Sequence, residues 1–489
     1  MSGKAMTRRG MVGTLGGMAL AAAFRGSPAL AAERPNIVYI MTDDHAAHAL
    51  SCYGSRVNKT PNLDRIAAEG MRFEHCFVTN SLCGPSRATL LTGKYSHANG
   101  FRQNGDRFDG TQVTFPKLLQ KAGYQTAVIG KWHLESDPTG FDHWCILPGQ
   151  GAYHDPVFIE AGGRKKHQGY VTDLITDFAI EWLRRRDKAR PFCLLYHHKA
   201  PHRNWQPDAK HAKLYEDAEI PEPETLRDDW ATRSSAARNS QMTVAKHLTP
   251  GDLKKPIPPG LTPEQELKWR YQRYMQDYLR CVASVDDNVG RFLDFLDKEG
   301  LAETTLVVYT SDNGFFLGDH GWFDKRFMYE ESLRVPLLVR YPKLIKAGTT
   351  SDRLVINCDY APTFLDLAGV EPPADLHGRS LRPLLEGKPP ADWRKSLYYH
   401  YYEFPGPHAV QRHYGVRTAT HKLIHYYHIG EWELFDLQKD PRELRNVYAD
   451  PAYAGVVAAM KAELDRLRRE LKVPEDAAPQ PPRSAQKGK

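Results

Sequence analysis

Two pairs of adjacent oxygen-bearing side chains stand far apart in the chain, Asp43-Asp44 and Asp312-Asn313. Carboxylate and amide oxygens of this kind suit a hard divalent cation, Ca2+ or Mg2+, better than zinc. Each pair taken alone also reads as ordinary turn or cap chemistry, because Asp and Asn are common where strands end. A third position with chemical potential is Cys83, in Cys83-Gly84-Pro85-Ser86-Arg87. It is one of seven cysteines, with Cys52, Cys76, Cys145, Cys193, Cys281 and Cys358. They show neither a C-x-x-C pair nor zinc-ligand spacing. An odd number leaves at least one thiol without an intramolecular partner, although a lone cysteine before a helix is ordinarily an inert, buried side chain.

These groups need a scaffold, and the apolar pattern supplies one. Residues 36–41 form a short β-branched apolar run, which predicts a buried strand delivering Asp43-Asp44 at its carboxyl end. Helical patterns follow at 61–70, with a proline near the start and a glycine at the end, and at 85–92, with Pro85 in the first turn. Residues 73–78, 126–129 and 192–197 read as strands, and 115–122 and 171–186 as helices. Val285, Val289, Phe292, Leu293 and Leu296 share one helical face, closed by Gly300, and a strand at 305–310 leads into Asp312-Asn313. Strands alternating with helices predict an α/β fold with a large, mainly parallel sheet wrapped by helices. Ligand sites of such sheets lie beyond the carboxyl ends of the strands, which puts both oxygen pairs on one rim. Residues 206–262 are polar and proline-rich and read as an excursion from the core, a candidate cover for the site. From 394 the pattern changes to short aromatic strands, 396–403, 414–418, 422–427 and 432–437, followed by a helix at 454–471. This divides the chain into a catalytic domain over 32–393, a small C-terminal antiparallel-sheet subdomain over 394–473 and a disordered tail over 474–489.

Composition narrows the class. The chain has 489 residues, 41% hydrophobic and 26% charged, which excludes collagen, a disordered chain and a disulfide miniprotein. No later stretch approaches the roughly 20 apolar residues of a membrane span. The formal charge of +7 is concentrated in the tails, at Lys4, Arg8, Arg9, Arg483, Lys487 and Lys489, so no nucleic-acid partner is expected. Thr7-Arg8-Arg9-Gly10-Met11, a weakly apolar stretch and Ala29-Leu30-Ala31 read as a twin-arginine export signal over 1–31, with an ordinary Sec signal as the alternative. The expectation is a protein exported to the periplasm or secreted.

The pentapeptide from Cys83 resembles the Cys-x-Pro-Ser-Arg signature of the type I sulfatases, and Ala88-Thr89-Leu90-Leu91-Thr92-Gly93 continues the likeness. Val38 through Asp44 resembles the first metal-ligand strand of that family, Gly130-Lys131-Trp132-His133 its Gly-Lys-x-His motif, and Ala200-Pro201-His202 its strand-end histidine segment. Thr310 through Gly314, Leu317 through Gly321 and Lys325 resemble the second metal and lysine segment. Glu433 through Leu437 with Asp440-Pro441 resembles the family's C-terminal ending, so the likeness covers roughly residues 34–470. The resemblance implies an alkaline-phosphatase-like fold and a cysteine oxidised to formylglycine by a maturation enzyme. It implies that Asp43, Asp44, Asp312 and Asn313 hold a metal, usually Ca2+, together with residue 83. Arg87 would fix and neutralise the formylglycine hydrate, and Lys131, His133, His202 and Lys325 would surround the sulfate. His202 and Lys325 are the candidates for protonating the leaving alcohol. A metal, an arginine and two lysines would offset the charge by which a sulfate monoester repels nucleophiles. Of the two hydroxyls of a hydrated aldehyde, one attacks sulfur and releases the alcohol; the other lets the carbon–oxygen bond break, expelling sulfate.

Substrate choice is read from the segments around this set. Ala200 through Trp205 and Asp324 through Glu330 resemble the carbohydrate sulfatases, and within them the N-acetylglucosamine-6-sulfatase branch. Iduronate-2-sulfatase-like enzymes are the runner-up, and formylglycine-dependent phosphonate or phosphodiester hydrolases the alternative reaction. A catalytically dead glycan-binding protein is the non-enzymatic alternative. Trp205, which could stack on a sugar or fill the core, and His408, Arg412 and His413 are the candidate recognition residues.

Overall fold

The computed structural model describes residues 34–475. The export signal, its cleavage site and most of the predicted tail lie outside the described residues. Within them, ten strands make one sheet: β1 (Asn36–Thr42), β2 (Met71–Phe73), β3 (Gln125–Lys131), β4 (His143–Leu147), β5 (Val157–Glu160), β6 (Gly163–Lys166), β7 (Phe192–His197), β8 (Thr305–Ser311), β9 (Leu337–Arg340) and β10 (Thr349–Ser351). Their order is β10-β2-β9-β8-β1-β7-β3-β4-β5-β6. The central strands β8, β1, β7, β3 and β4 are parallel, whereas β9, β5 and β6 add antiparallel flanks.

β1 shows why the centre is parallel. Ile37, Tyr39 and Met41 enter one hydrophobic core, while Val38 and Ile40 enter the other. A strand buried on both faces reads as an unbroken apolar run, and helices must cover it on both sides. The principal helices are α1 (Pro61–Ala68), α2 (Cys83–Thr92), α3 (Val171–Arg185) and α4 (Pro263–Lys298). The apolar face predicted around Val285 is the second half of α4, a helix of 36 residues. α4 begins at a capping box, Thr262 with Gln265, with Pro263 at its first turn.

Two features depart from the sequence expectation. The strand expected at 73–78 is broken: β2 belongs to the large sheet, and Cys76–Phe77 pairs instead with Arg334–Val335 and Val355–Ile356. Glu74 N–H still donates to Ser351 O, on the β10 side, and from His75, whose carbonyl accepts the Val355 N–H, the chain pairs in the other sheet. The excursion over 206–262 carries short helices, Ser235–Asn239, Val244–His247 and Pro250–Leu253, and buries Ile220, Leu226, Met242 and Val244. It is packed structure rather than loose cover.

The four aromatic strands form a separate antiparallel sheet in chain order, β11 (Ser396–Tyr401), β12 (His413–Thr418), β13 (His421–Tyr426) and β14 (Glu431–Asp436), with helix α5 (Ala454–Glu470) after it. This sheet meets the segment that leads into α2. His400 N–H donates to Thr79 O, and Ser81 N–H donates to the Tyr399 hydroxyl. No helix among the described residues is long and apolar enough to cross a membrane.

Candidate active site

Every candidate of the central set follows the carboxyl end of a parallel strand or sits beside it. β1 ends at Thr42 and delivers Asp43 and Asp44; β8 ends at Ser311 and delivers Asp312 and Asn313. β3 ends on Lys131, with His133 two residues on, and β7 is followed by His202. Cys83 is the first residue of α2, whose N-terminus has no side-chain cap. A Cβ on Gly84 would meet the Phe101 ring at 2.5 Å, so glycine is needed for α2 to seat here. The partial positive charge of the helix start is thereby turned toward the acids.

One oxygen each from Asp43, Asp44 and Asp312 and the Cys83 sulfur lie within 4.8 Å of one another, all buried. Asn313 Nδ2 donates to Asp312 Oδ1 at 3.0 Å, leaving its Oδ1 buried with no hydrogen-bond partner among the described residues. Three buried carboxylates this close repel one another, and a cation between them relieves that repulsion. The donor set therefore fits a hard divalent cation.

Cations surround this cluster. Arg87 donates Nε and Nη2 to Asp312 Oδ2 at 3.0 and 2.7 Å and Nη1 to Lys131 O at 2.7 Å. Lys131 pairs with Asp43, and Lys325 pairs with Asp44 while standing 3.4 Å from Cys83 Sγ. His202 Nε2 is 3.7 Å from Asp44 Oδ2. Its Nδ1 lies 2.6 Å from Arg203 O, so Nδ1 carries the proton, because a carbonyl only accepts. Burial favours a neutral Asp43, but Lys131 above all, with Arg87 and Lys325, overrides it and holds this carboxyl well below its usual range. Burial lifts Asp44 to about 7, with Lys325 opposing and Asp43 and Asp312 adding to the rise. Burial and then Asp43 raise Asp312 in the same sense. Burial and the neighbouring Lys131 depress His133 to about 2. Burial, then Asp43, pushes the Cys83 thiol up, so an unmodified Cys83 stays protonated and is a poor nucleophile.

The structure thus brings together Asp43, Asp44, Cys83, Arg87, Lys131, His202, Asp312, Asn313 and Lys325, with His133 at the edge. The peripheral candidates fare differently. Trp205 is fully buried, its ring 4.7 Å from Tyr274 and 6.3 Å from Phe315. It fills the core and offers no face to a sugar, which settles the choice left open by the sequence. His413 is also fully buried; its Nε2 receives the Met328 N–H and its ring packs on Tyr399. Arg412 is half-buried and makes no hydrogen bond or ion pair with the central set among the described residues. His408 reaches the rim of the site, its Nε2 3.0 Å from Asp324 Oδ2 beside Lys325. Sequence reasoning passed over Gln150, which takes a hydrogen bond from Lys131 Nζ at 2.6 Å. Its only local signal is the pair of flanking glycines. The seven cysteines are all free thiols.

Comparison with known proteins agrees with this geometry. The sulfatase family model matches residues 35–370, and a model described as N-sulphoglucosamine sulphohydrolase, C-terminal, matches residues 318–470. An N-acetylglucosamine-6-O-sulfatase of Bacteroides thetaiotaomicron is 50% identical over 90% of this chain and 87% of its own. The human N-acetylglucosamine-6-sulfatase is 30% identical, covering 75% of this chain and 67% of its own. A solved structure in complex with its substrate D-glucosamine-2-N,6-O-disulfate superposes with a TM-score of 0.88 at 50% identity, covering 90% of this chain and 98% of that one. The mixed, mostly parallel sheet with its small antiparallel companion is the alkaline-phosphatase-like fold of these enzymes. The chain belongs to the sulfatase family and is a hydrolase of sulfate esters.

Proposed function

We propose that this protein is an exported carbohydrate sulfatase that removes the 6-O-sulfate of N-acetylglucosamine or a closely related glucosamine. The observation that carries the reaction is the convergence of Arg87, Lys131 and Lys325 on the buried cluster of Asp43, Asp44, Asp312 and Cys83. Such a site stabilises an anionic group undergoing displacement and little else. The sugar assignment is supported by the names of the Bacteroides and human relatives and by the ligand of the similar solved structure.

In this reading Asp43, Asp44, Asp312 and Asn313 hold Ca2+, or Mg2+ in its place, together with residue 83. Such an ion, when bound, would supply Lewis-acid charge to an anionic substrate. Cys83 is converted by a maturation enzyme to formylglycine, whose hydrate supplies an oxygen nucleophile that the buried, protonated thiol does not. Arg87, tied to Asp312 and to the Lys131 carbonyl, keeps a fixed positive charge at the nucleophile. Lys131 and His133 approach the sulfate from the β3 side. Lys325 stays protonated, since Asp44 outweighs the burial that would discharge it, and it can deliver a proton to the leaving oxygen. Burial and then Lys131 hold His202 well below its usual range, so it keeps its one proton on Nδ1 and turns an accepting Nε2 to the cluster. The twin-arginine signal implies folding, and hence maturation, before export.

The test is sulfate release from N-acetylglucosamine-6-sulfate by protein with formylglycine verified by peptide mass, beside Cys83→Ala. Release by the parent alone supports both nucleophile and sugar. Activity confined to another sulfated sugar overturns the sugar assignment, and full activity of a preparation carrying only unmodified Cys83 overturns the mechanism.

A further inference from the structure

The segment 148–153 touches Lys131, the backbone of His202 and Lys199. β4 runs parallel to β3 with Leu147 opposite Lys131, so the chain leaves the sheet directly beside that lysine. It then turns back, Gly151 N–H donating to Pro148 O at 2.9 Å. Gly149 and Gly151 have φ of 51° and 67°, in the left-handed region. A Cβ on Gly151 would come within 2.8 Å of Leu147 Cδ1. The two glycines permit a tight turn that aims the residue between them inward. That residue is Gln150, and its Oε1 lies 2.6 Å from Lys131 Nζ. The amide orientation follows from chemistry, because an ammonium donates three hydrogen bonds and accepts none. Two residues on, the Tyr153 hydroxyl donates to His202 O at 2.5 Å, and Lys199 Nζ lies 4.7 Å from the centre of its ring.

Lys131 is wholly buried, and Asp43 and Gln150 occupy two of its three donors. The direction of the third is thereby set. With Asp43 as its sole partner, the ammonium could rotate about that one ion pair. A glutamate in place of Gln150 would also fix it, but would cancel the charge that an anionic substrate needs. A glutamine orients the ammonium and leaves its charge intact.

We propose that Gln150, held by the Gly149–Gly151 turn, is a positioning residue that aims Lys131 at the sulfate undergoing transfer. The proposal rests on the reading above that the sulfate lies beside Lys131, and not on which sugar carries it. The experiment therefore uses whichever sulfate ester the parent enzyme turns over, with parent and variants matched for formylglycine content. Gln150→Met keeps the volume and removes the acceptor. Its kcat is expected to fall about 10- to 100-fold, as misdirected catalytic groups do, with KM changed less than about threefold. The melting temperature should stay within about 2 °C, since the segment keeps its turn. In a Lys131→Met background the same substitution should change turnover less than about threefold, because no ammonium is left to aim. A Gln150→Met enzyme with kcat within about twofold of the parent overturns the proposal, as does an equal penalty with and without Lys131. Should Gln150→Met fail to fold, Gln150→Ala serves: it also removes the acceptor, and kcat within about twofold of the parent, or an equal penalty with and without Lys131, overturns the proposal. A fully active Lys131→Met would overturn the sulfate placement itself, and this inference with it.

Discussion

Consider His320, in Gly318-Asp319-His320-Gly321, between the metal-side strand and Lys325. Its ring is fully buried, with Nδ1 3.0 Å from Asp228 Oδ2 and Nε2 3.6 Å from Glu331 Oε2. Glu331 stands farther off and acts in the same sense. Burial by itself would keep the imidazole neutral; the Asp228 hydrogen bond and Glu331 reverse this and raise it from 6.5 to about 9. Asp228 belongs to the excursion over 206–262. The excursion is fastened further by Thr225, which accepts the His320 N–H, and by Trp230, which donates to His320 O. The folded state holds the His320 proton more tightly than the unfolded chain does. Its stabilisation is therefore complete below pH about 6.5 and is lost as pH rises through about 9. This rise is worth about 3 kcal/mol to the folded state, at ~1.4 kcal/mol per tenfold change in proton affinity. His320→Gln removes the titration. In urea unfolding at constant Ca2+, the gap between parent and variant should be about 2–3 kcal/mol wider at pH 6 than at pH 9.5. A gap of the same size at both pH values would refute the charged clamp and leave His320 as a packing residue.

Two further outcomes follow from the site and its surroundings. In protein stripped of divalent ions, Asp44, at about 7, and the raised Asp312 hold protons more tightly than the unfolded chain does, so stability should fall as pH rises from about 4 through 7, and added Ca2+ should restore it; a melting temperature indifferent to both pH and Ca2+ would contradict the proposed cation site. Trp205→Ala should cost about 3–5 kcal/mol through the cavity it leaves, with KM on the sulfated sugar unchanged; a raised KM at unchanged stability would return Trp205 to the recognition role.

The motif residues were legible because their signals are local. A doubly buried strand must be an unbroken apolar run, so 36–41, 192–197 and 305–310 announce themselves, and the groups just past their ends fall on one rim whatever the rest of the chain does. Other features had no local signature. β9 is a short strand paired with β2, far away in sequence, β5 and β6 form an edge hairpin whose residues 163–166 are exposed and carry no apolar pattern, and 73–78 looks continuous although its two ends pair in different sheets. Trp205 follows the histidine segment and could have faced either way; only the arrival of Tyr274 and Phe315 puts it inside.

The order of residues specifies the kind of chemistry: which oxygens, cations and cysteine are present, and which strand end or helix start bears each. Tertiary structure decided what each of those groups faces. Lys131 meets Asp43 across 88 residues and Gln150 across 19, and Lys325 meets Asp44 across 281. Such pairings are set by sheet order and by packing on both faces of the sheet, not by any periodicity along the chain. Charge, burial and pKa depend on those neighbours, so they emerge only when the strands are laid side by side.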